Sequence, residues 1–245
     1  MIFDAHVHLQ MGTFDIPLDT EIQALCNSVE KADMPQVLDL SAKHTGVFPY
    51  LGIHPWFISD SWEEDLYYLD ALLSESEAGI GEVGLDKLKT RVPMERQRAV
   101  FRGQLSIAKK HKRPVNIHCV RAWGPLLEDL SILSSAGIPF LVHAFAGSPE
   151  VMQEIVKMGG YLSFAPFVLN SGSKKAAAAI AQVSEDRLLL DTDFPYQEGQ
   201  PVSEYSHLLY SVYDLAADIR RTDKRALIER TRENGTVFTD SKAAR

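Results

Sequence analysis

Eight short apolar runs with the residue types of β-strands recur along this 245-residue chain, at 2–7, 22–28, 47–53, 79–83, 114–118, 140–143, 161–164 and 187–190. Longer stretches of helical spacing separate most of them. Trp62, Leu66, Leu69 and Leu73 recur at intervals of three and four, as do Phe101, Leu105 and Ala108, which places apolar stripes on amphipathic helices. Ser148-Pro149-Glu150 combines an N-cap residue, a first-turn proline and an acid favoured by the helix dipole. Gly159-Gly160 then ends that helix. Strands alternating with helices pair in parallel, and eight is the number that closes a barrel. An open doubly wound sheet would want a glycine-rich phosphate loop after an early strand, and the sequence has none. The expected fold is an α/β (β/α)8 TIM barrel, with residues 1–245 as a single domain.

The first crossover is too short for that plan. Only 9–21 link strand one to strand two, and Pro17 interrupts them, whereas a crossover with its helix takes about a dozen residues or more. The first outer helix should therefore be missing or truncated to a turn. A loop, the C-terminal helices or a second subunit would then cover that flank, the last making a homo-oligomer.

Composition matters for what it excludes. With 45% hydrophobic and 24% charged residues, the chain is neither disordered nor collagen-like. Its length buries roughly three quarters of the unfolded surface, so no metal or disulfide is needed as a staple. Cys26 and Cys119 lie in apolar runs and read as buried free thiols. No run approaches the ~20 apolar residues of a membrane helix, and no leader pattern precedes the first strand. The expectation is a soluble cytoplasmic protein that does not use membranes. The 25 basic against 33 acidic residues give a net charge of −8, which argues against a basic nucleic-acid coat. It leaves open a phosphodiester enzyme whose bound cations supply local positive charge.

Five of the eight histidines fall at or just after a strand end, and the C-terminal rim of a (β/α)8 barrel is its active-site mouth. Strand one ends His6-Val7-His8, and period two turns both imidazoles to the barrel interior, where they can chelate one metal. Surface alternation is the plainer account of such a pair, but Phe3, Val7 and Leu9 mark a buried strand. Glu82 stands in the apolar, glycine-flanked strand four, where a carboxylate must pair with an interior arginine or coordinate a cation. Strands five and six end at His118 and His143. After strand eight, Asp191 and Asp193 point to one side, with Asp193 further toward the mouth; an Asx turn before Pro195 is the plainer account. The set is four histidines and two or three carboxylates with no thiolate, a site for hard-to-borderline divalent ions. Six ligands exceed one tetrahedral zinc, so two ions bridged by Glu82 fit better.

Asp4-Ala5-His6-Val7-His8-Leu9, Gly52-Ile53-His54-Pro55, Gly81-Glu82-Val83-Gly84-Leu85-Asp86, Pro114-Val115-Asn116-Ile117-His118, His143-Ala144-Phe145-Ala146-Gly147-Ser148 and Thr192-Asp193-Phe194-Pro195-Tyr196 together resemble the successive motifs of the TatD-like metal-dependent hydrolases. These are amidohydrolase-related barrels that include deoxyribonucleases and 3′–5′ exonucleases. The resemblance runs nearly to the end of the chain, through 234–238. It implies one metal on His6, His8, Glu82 and Asp193, a second on Glu82, His118 and His143, and a substrate phosphate near His54. It also implies that Glu82 replaces the carboxylated lysine of other amidohydrolases. The sequence does not choose the ion: histidine-rich ligation suits Zn, Mn, Ni or Co, while phosphate chemistry often runs on Mg.

The pattern departs at the rim. Asp191 stands where the family has Glu, Lys87-Leu88-Lys89 where it has aromatics, and Arg121 one residue later than the usual arginine. The chemistry these features imply is two-metal hydrolysis with Asp193 and Glu82 as catalytic groups and Asp193 the general base. Lys87, Lys89, Arg91, Arg121, Lys174 and Lys175 in predicted mouth loops could form a phosphate funnel or be solvated loop charges. Lys87 and Arg121, with His54, are the candidate substrate-binding residues. Trp56 and Trp123 could stack a base or pack the rim. The leading expectation is a deoxyribonuclease acting on DNA ends, or on a phosphorylated small molecule. The alternatives are an amidohydrolase cleaving an ester or C–N bond, including a misacylated tRNA, and a non-catalytic barrel used for assembly.

Overall fold

A computed structural model describes residues 1–12, 21–170, 172–195 and 200–240. Among them the eight expected strands all form: β1 (Ile2–Val7), β2 (Ile22–Asn27), β3 (Val47–Leu51), β4 (Gly79–Asp86), β5 (Val115–Val120), β6 (Phe140–Val142), β7 (Tyr161–Phe164) and β8 (Leu188–Leu190). They pair in parallel in sequence order, as a barrel requires. The ring closes at its upper rim, where Val7 bridges Phe194. There the His8 N–H donates to the Phe194 carbonyl at 2.7 Å, and the Asp193 N–H to the His6 carbonyl at 3.0 Å. Asp4 reinforces the seam by accepting from the Thr192 N–H at 3.0 Å and its hydroxyl at 2.6 Å.

The outer layer consists of α1 (Met34–Lys43), α2 (Trp62–Glu75), α3 (Met94–His111), α4 (Trp123–Asp129), α5 (Ser131–Ser134), α6 (Pro149–Lys157), α7 (Pro166–Leu169), α8 (Lys174–Gln182), α9 (Tyr205–Arg220) and α10 (Lys224–Thr239). Leu69 and Leu73 of α2, and Phe101, Leu105 and Ala108 of α3, are buried as their spacing predicts. α6 begins at Pro149 and ends before Gly159. Ser148 precedes it in extended backbone but makes no side-chain cap; its hydroxyl bonds Glu150 instead. No helix among the described residues is long and apolar enough to cross a membrane.

In the first crossover the described residues hold only a 3-10 turn, Leu9–Met11; Pro17 lies outside them. The flank of β1 is packed by the last two helices. The Tyr213 hydroxyl on α9 donates to the Phe3 carbonyl at 2.7 Å and meets Thr231 of α10 at 2.9 Å. α10 also closes the floor of the barrel. Phe3, Leu25, Tyr50, Leu141, Tyr161 and Leu189 point inward there and cluster with Phe238, whose ring lies 6.2 Å from Tyr50 and 5.5 Å from Tyr161. Gly235 lets the helix come this close, since a Cβ there would press into the Phe3 ring. The floor is thus built of aromatic and aliphatic side chains around Phe238. The two cysteines are buried and unpaired, with burial pushing both thiols up to about 12.

Candidate metal centre

Glu82 stands at the centre of the mouth with its two oxygens facing two sets of histidines. Oε2 lies 3.4 Å from His6 Nε2 and 3.2 Å from His8 Nε2. Oε1 lies 2.9 Å from His118 Nδ1, 2.8 Å from His143 Nε2 and 3.4 Å from His54 Nε2. Burial alone would raise the Glu82 carboxyl, but the facing His54, His143 and His6 and the hydrogen bond from His118 hold it well below the carboxylate range. Asp193 completes the first set, its Oδ1 3.6 Å from His6 Nε2 and 3.5 Å from His8 Nε2. A bulge between Asp4 and Val7 shifts the β1 register just before His6, so Phe3 and Ala5 join the floor cluster while both imidazoles still turn inward.

Hydrogen bonds outside the cluster fix which nitrogen each ring presents. Asn116 Oδ1 accepts from His6 Nδ1 at 3.1 Å while its amide donates to the Ala5 carbonyl at 2.8 Å. His8 Nδ1 donates to the Asn27 carbonyl at 2.8 Å. His118 turns Nε2 toward Asp86 at 3.4 Å and Nδ1 toward Glu82. Each of these three rings therefore keeps an unprotonated-capable nitrogen for the interior. His54 differs. Its Nδ1 accepts the Trp56 N–H at 3.2 Å, so Nε2 carries the hydrogen and acts as a donor. Burial pushes His54 down to about 3, which keeps the ring neutral. This tautomer suits hydrogen bonding to an anionic oxygen, as expected of a substrate contact, and not ligation through Nε2.

The donors fit divalent ions. His6 Nε2 and His8 Nε2 are 3.1 Å apart, and the four histidine–carboxylate separations in the first set run from 3.2 to 3.6 Å. A tetrahedral site with bonds near 2.0–2.1 Å has edges of ~3.3 Å. The His6, Glu82 and Asp193 acceptors converge on one position of His8, more than one proton can serve. Burial opposes protonation of His8 and His118, yet hydrogen bonds that His8 donates to Asp193 and Glu82 raise it well above its usual value, and those that His118 donates to Asp86 and Glu82 bring it up to about 9. A bound cation would supply that positive charge instead. The described residues give three candidate groups: His6, His8 and Glu82; His6, His143 and Asp193; and His54, Glu82 and His118.

All six residues expected as ligands are thus brought together. Asp191 is not among them: it lies deeper, accepting the Ala144 N–H at 3.0 Å and the Ser163 hydroxyl, and burial pushes its carboxyl up to about 6. The centre opens into a cavity of about 670 Å³ that Lys89, Arg121, Trp56 and Trp123 help to line. Lys87 corrects an expectation, because it is exposed and does not line the cavity. Its N–H still pairs with the Val120 carbonyl, while Asp86 Oδ1 gathers the N–H groups of Leu88 and Lys89 at 2.7 and 2.9 Å. That turn carries Lys89 over the Trp56 ring, 5.3 Å from its centroid. Of Lys87, Lys89, Arg91, Arg121, Lys174 and Lys175, Lys89 and Arg121 reach the cavity. Tyr196 lies outside the described residues. The orienting roles of Asn27, Asn116 and Asp86 went unread in the sequence; the available signal was an amide two residues before His118 in an otherwise apolar strand.

A family model described as TatD related DNase matches residues 3–238. The uncharacterized metal-dependent hydrolase YabD of Bacillus subtilis is 30% identical over 248 aligned positions, 96% of this chain and 97% of YabD. The human deoxyribonuclease TATDN3 is 32% identical over 219 positions, 79% of this chain and 78% of its own. Among solved structures, the TatD homologue YjjV of Escherichia coli superposes with a TM-score of 0.83 at 22% identity, over 97% of each chain. That likeness shows the barrel fold.

Proposed function

We propose, on the premise that this chain belongs to the TatD-related DNase family, that it hydrolyses phosphodiester bonds at nucleic-acid ends with two divalent ions. It is a metal-dependent hydrolase of that family; the bond cleaved and the ion count are the proposal. The observation that carries it is the division of Glu82, one oxygen toward His6 and His8 and the other toward His118 and His143. His6, His8, Glu82 and Asp193 would hold one ion, and Glu82, His118 and His143 the other. Zn, Mn, Ni or Co suits the nitrogen-rich donors, and Mg the phosphate chemistry. Such ions, when bound, polarise the phosphoryl group and make a water acidic enough to attack at neutral pH.

The chain's own residues supply the rest. Asp193, 22% exposed at its side chain, borders the cavity and accepts the proton of the attacking water as general base. His54 donates its Nε2 hydrogen to a non-bridging phosphate oxygen. Arg121 and Lys89 draw the anionic substrate to a mouth that also holds the carboxylates Glu82 and Asp193. Arg121 sits in left-handed backbone, φ 53°, a conformation that persists at functional sites when the surroundings enforce it. The name of TATDN3 as a deoxyribonuclease supports DNA as the substrate.

Two measurements test the reading. Elemental analysis should find two ions per chain, and the loaded protein should release mononucleotides from single-stranded DNA, with His118→Ala losing that release. Less than one ion per chain after incubation with Zn²⁺, Mn²⁺ or Mg²⁺ would sink the centre and favour a non-catalytic barrel. Turnover of esters or lactones without DNA cleavage would sink the phosphodiesterase and favour an amidohydrolase.

A further inference from the structure

Trp56 lies just beyond β3 on the wall of the mouth cavity and is 42% exposed. An indole this open at a cavity wall is ordinarily free to tilt, but this one is fixed. Its Nε1–H donates to Asp86 Oδ2 at 2.7 Å. Asp86 is itself fully buried, and its other oxygen is held by the N–H groups of Leu88 and Lys89. The same Oδ2 faces His118 Nε2 at 3.4 Å. One carboxylate therefore sets both the plane of the indole and the orientation of an expected metal ligand. The ring meets His54 edge-on, centroids 4.9 Å apart and planes at 86°, and stands 6.3 Å from His118.

The bond to Asp86 occupies the only polar hydrogen an indole has. What Trp56 presents to a ligand is then a flat π-face and nothing else. Lys89, exposed in solution, already rests its ammonium 5.3 Å from that ring, so a cation able to meet phosphate stands beside the face. The separation of 6.3 Å between the Trp56 and His118 rings is of the order that divides a base from the phosphate of its own nucleotide.

We propose that Trp56 is a nucleobase platform: a base adjoining the scissile phosphate stacks on its open face, and Asp86 is the positioning residue that keeps this platform in register with His118. The proposal rests on the phosphodiesterase reading of the same centre. Stacking of this kind accepts any base, because every base has a π-face. It selects nucleic acid over phosphodiesters that lack bases. Lys89 leaves the ring for the phosphate as the base arrives.

The test is binding in EDTA, which removes turnover, read by fluorescence anisotropy with two fluorescein-labelled probes of equal length and charge. One is oligothymidylate; the other replaces every nucleoside with a tetrahydrofuran spacer. The wild type should bind oligothymidylate about tenfold or more tightly than the spacer chain. Trp56→Ala should erase that ratio, and Trp56→Phe, which keeps a flat ring, should retain most of it. Asp86→Ala should shrink the ratio and Asp86→Asn, which keeps an oxygen for the indole N–H, should restore part of it. Equal weakening of both probes in Trp56→Ala, or a wild type that does not distinguish them, overturns the platform while leaving phosphodiester hydrolysis standing. Full discrimination in Asp86→Ala overturns the positioning role. A wild type that binds neither probe and, once metal-loaded, cleaves no DNA overturns both readings.

Discussion

Removing the Asn116 amide is the sharpest test of how the centre is built. The side chain bridges β1 and β5, giving an N–H to the Ala5 carbonyl at 2.8 Å and taking His6 Nδ1–H at 3.1 Å. In Asn116→Ala two buried bonds vanish, and His6 Nδ1 loses the acceptor that orients it. At about 1 kcal/mol per bond, plus the cost of an orphaned buried N–H, the expected loss is about 2–3 kcal/mol of stability. The effect on metal should be larger in kind than in size. His6 would lose the contact that selects its tautomer, and orienting partners of this sort are worth about 10–100-fold in affinity. Because Asn116 touches His6 and neither His118 nor His143, the weakening should fall on one class of sites. Isothermal titration of the EDTA-stripped protein with Zn²⁺ or Mn²⁺ should show one phase shifted and the other kept. Asn116→Asp retains an acceptor for His6 but sets a carboxylate against the Ala5 carbonyl, so it should unfold at lower temperature yet bind metal better than Asn116→Ala. An Asn116→Ala protein with wild-type affinity in both phases would refute the claim that this amide orients His6.

Three further outcomes are expected. Phe238→Ala leaves a hole in the barrel floor between Tyr50 and Tyr161 and should cost about 3–5 kcal/mol, read as a lowered urea midpoint with the metal-binding isotherm unchanged. Gly84 has φ 155°, and a Cβ there would fall on the His118 carbonyl oxygen; Gly84→Ala should therefore destabilise the β4–β5 pair and weaken metal binding together. Asp70 receives Lys110 at 2.6 Å and His111 at 2.7 Å, and the hydrogen bond from Lys110 holds its carboxyl below the ordinary value against slight burial. A depressed carboxylate stabilises above its unfolded pKa and loses that contribution as pH falls through the folded value. Asp70→Asn should hence cost about 0.5–1 kcal/mol at pH 7, and chemical denaturation should show the gap to wild type closing in acid below pH ~4.

The number and order of strands were legible because most are bounded by turn chemistry and followed by a helical stripe, β1 being the exception. Their ends were less so. β3 stops at Leu51, two residues early, because Gln104 of α3 takes over the next pairing, accepting the Ile53 N–H at 2.7 Å and donating to its carbonyl at 3.1 Å. β4 and β5 run on to Asp86 and Val120, since their ladder continues past Glu82 and His118. The residues gathered at the centre were legible because strand period and the barrel rule together say which side chains meet. The orienting shell was not. His6 and Asn116 are 110 residues apart, and nothing local marks an amide as the group that selects a tautomer. Lys89 in place of Lys87 was hidden for the same reason, because the turn that lifts it depends on the Asp86 carboxylate.

The floor of the barrel sets the order in which this molecule can be completed. Phe3 lies in the first strand, and the ring it packs against and the glycine that admits it lie in α10. Loop-closure entropy grows only logarithmically with the intervening length, so the contact is affordable once made, but it cannot be made early. A chain emerging from the ribosome would carry a nearly full ring of strands with its apolar base open to water until the last helix arrived. During that interval the exposed aromatics of the floor are the surface on which misassembly would begin. Chaperone capture of nascent chains should accordingly end when α10 emerges, and not when the eighth strand does.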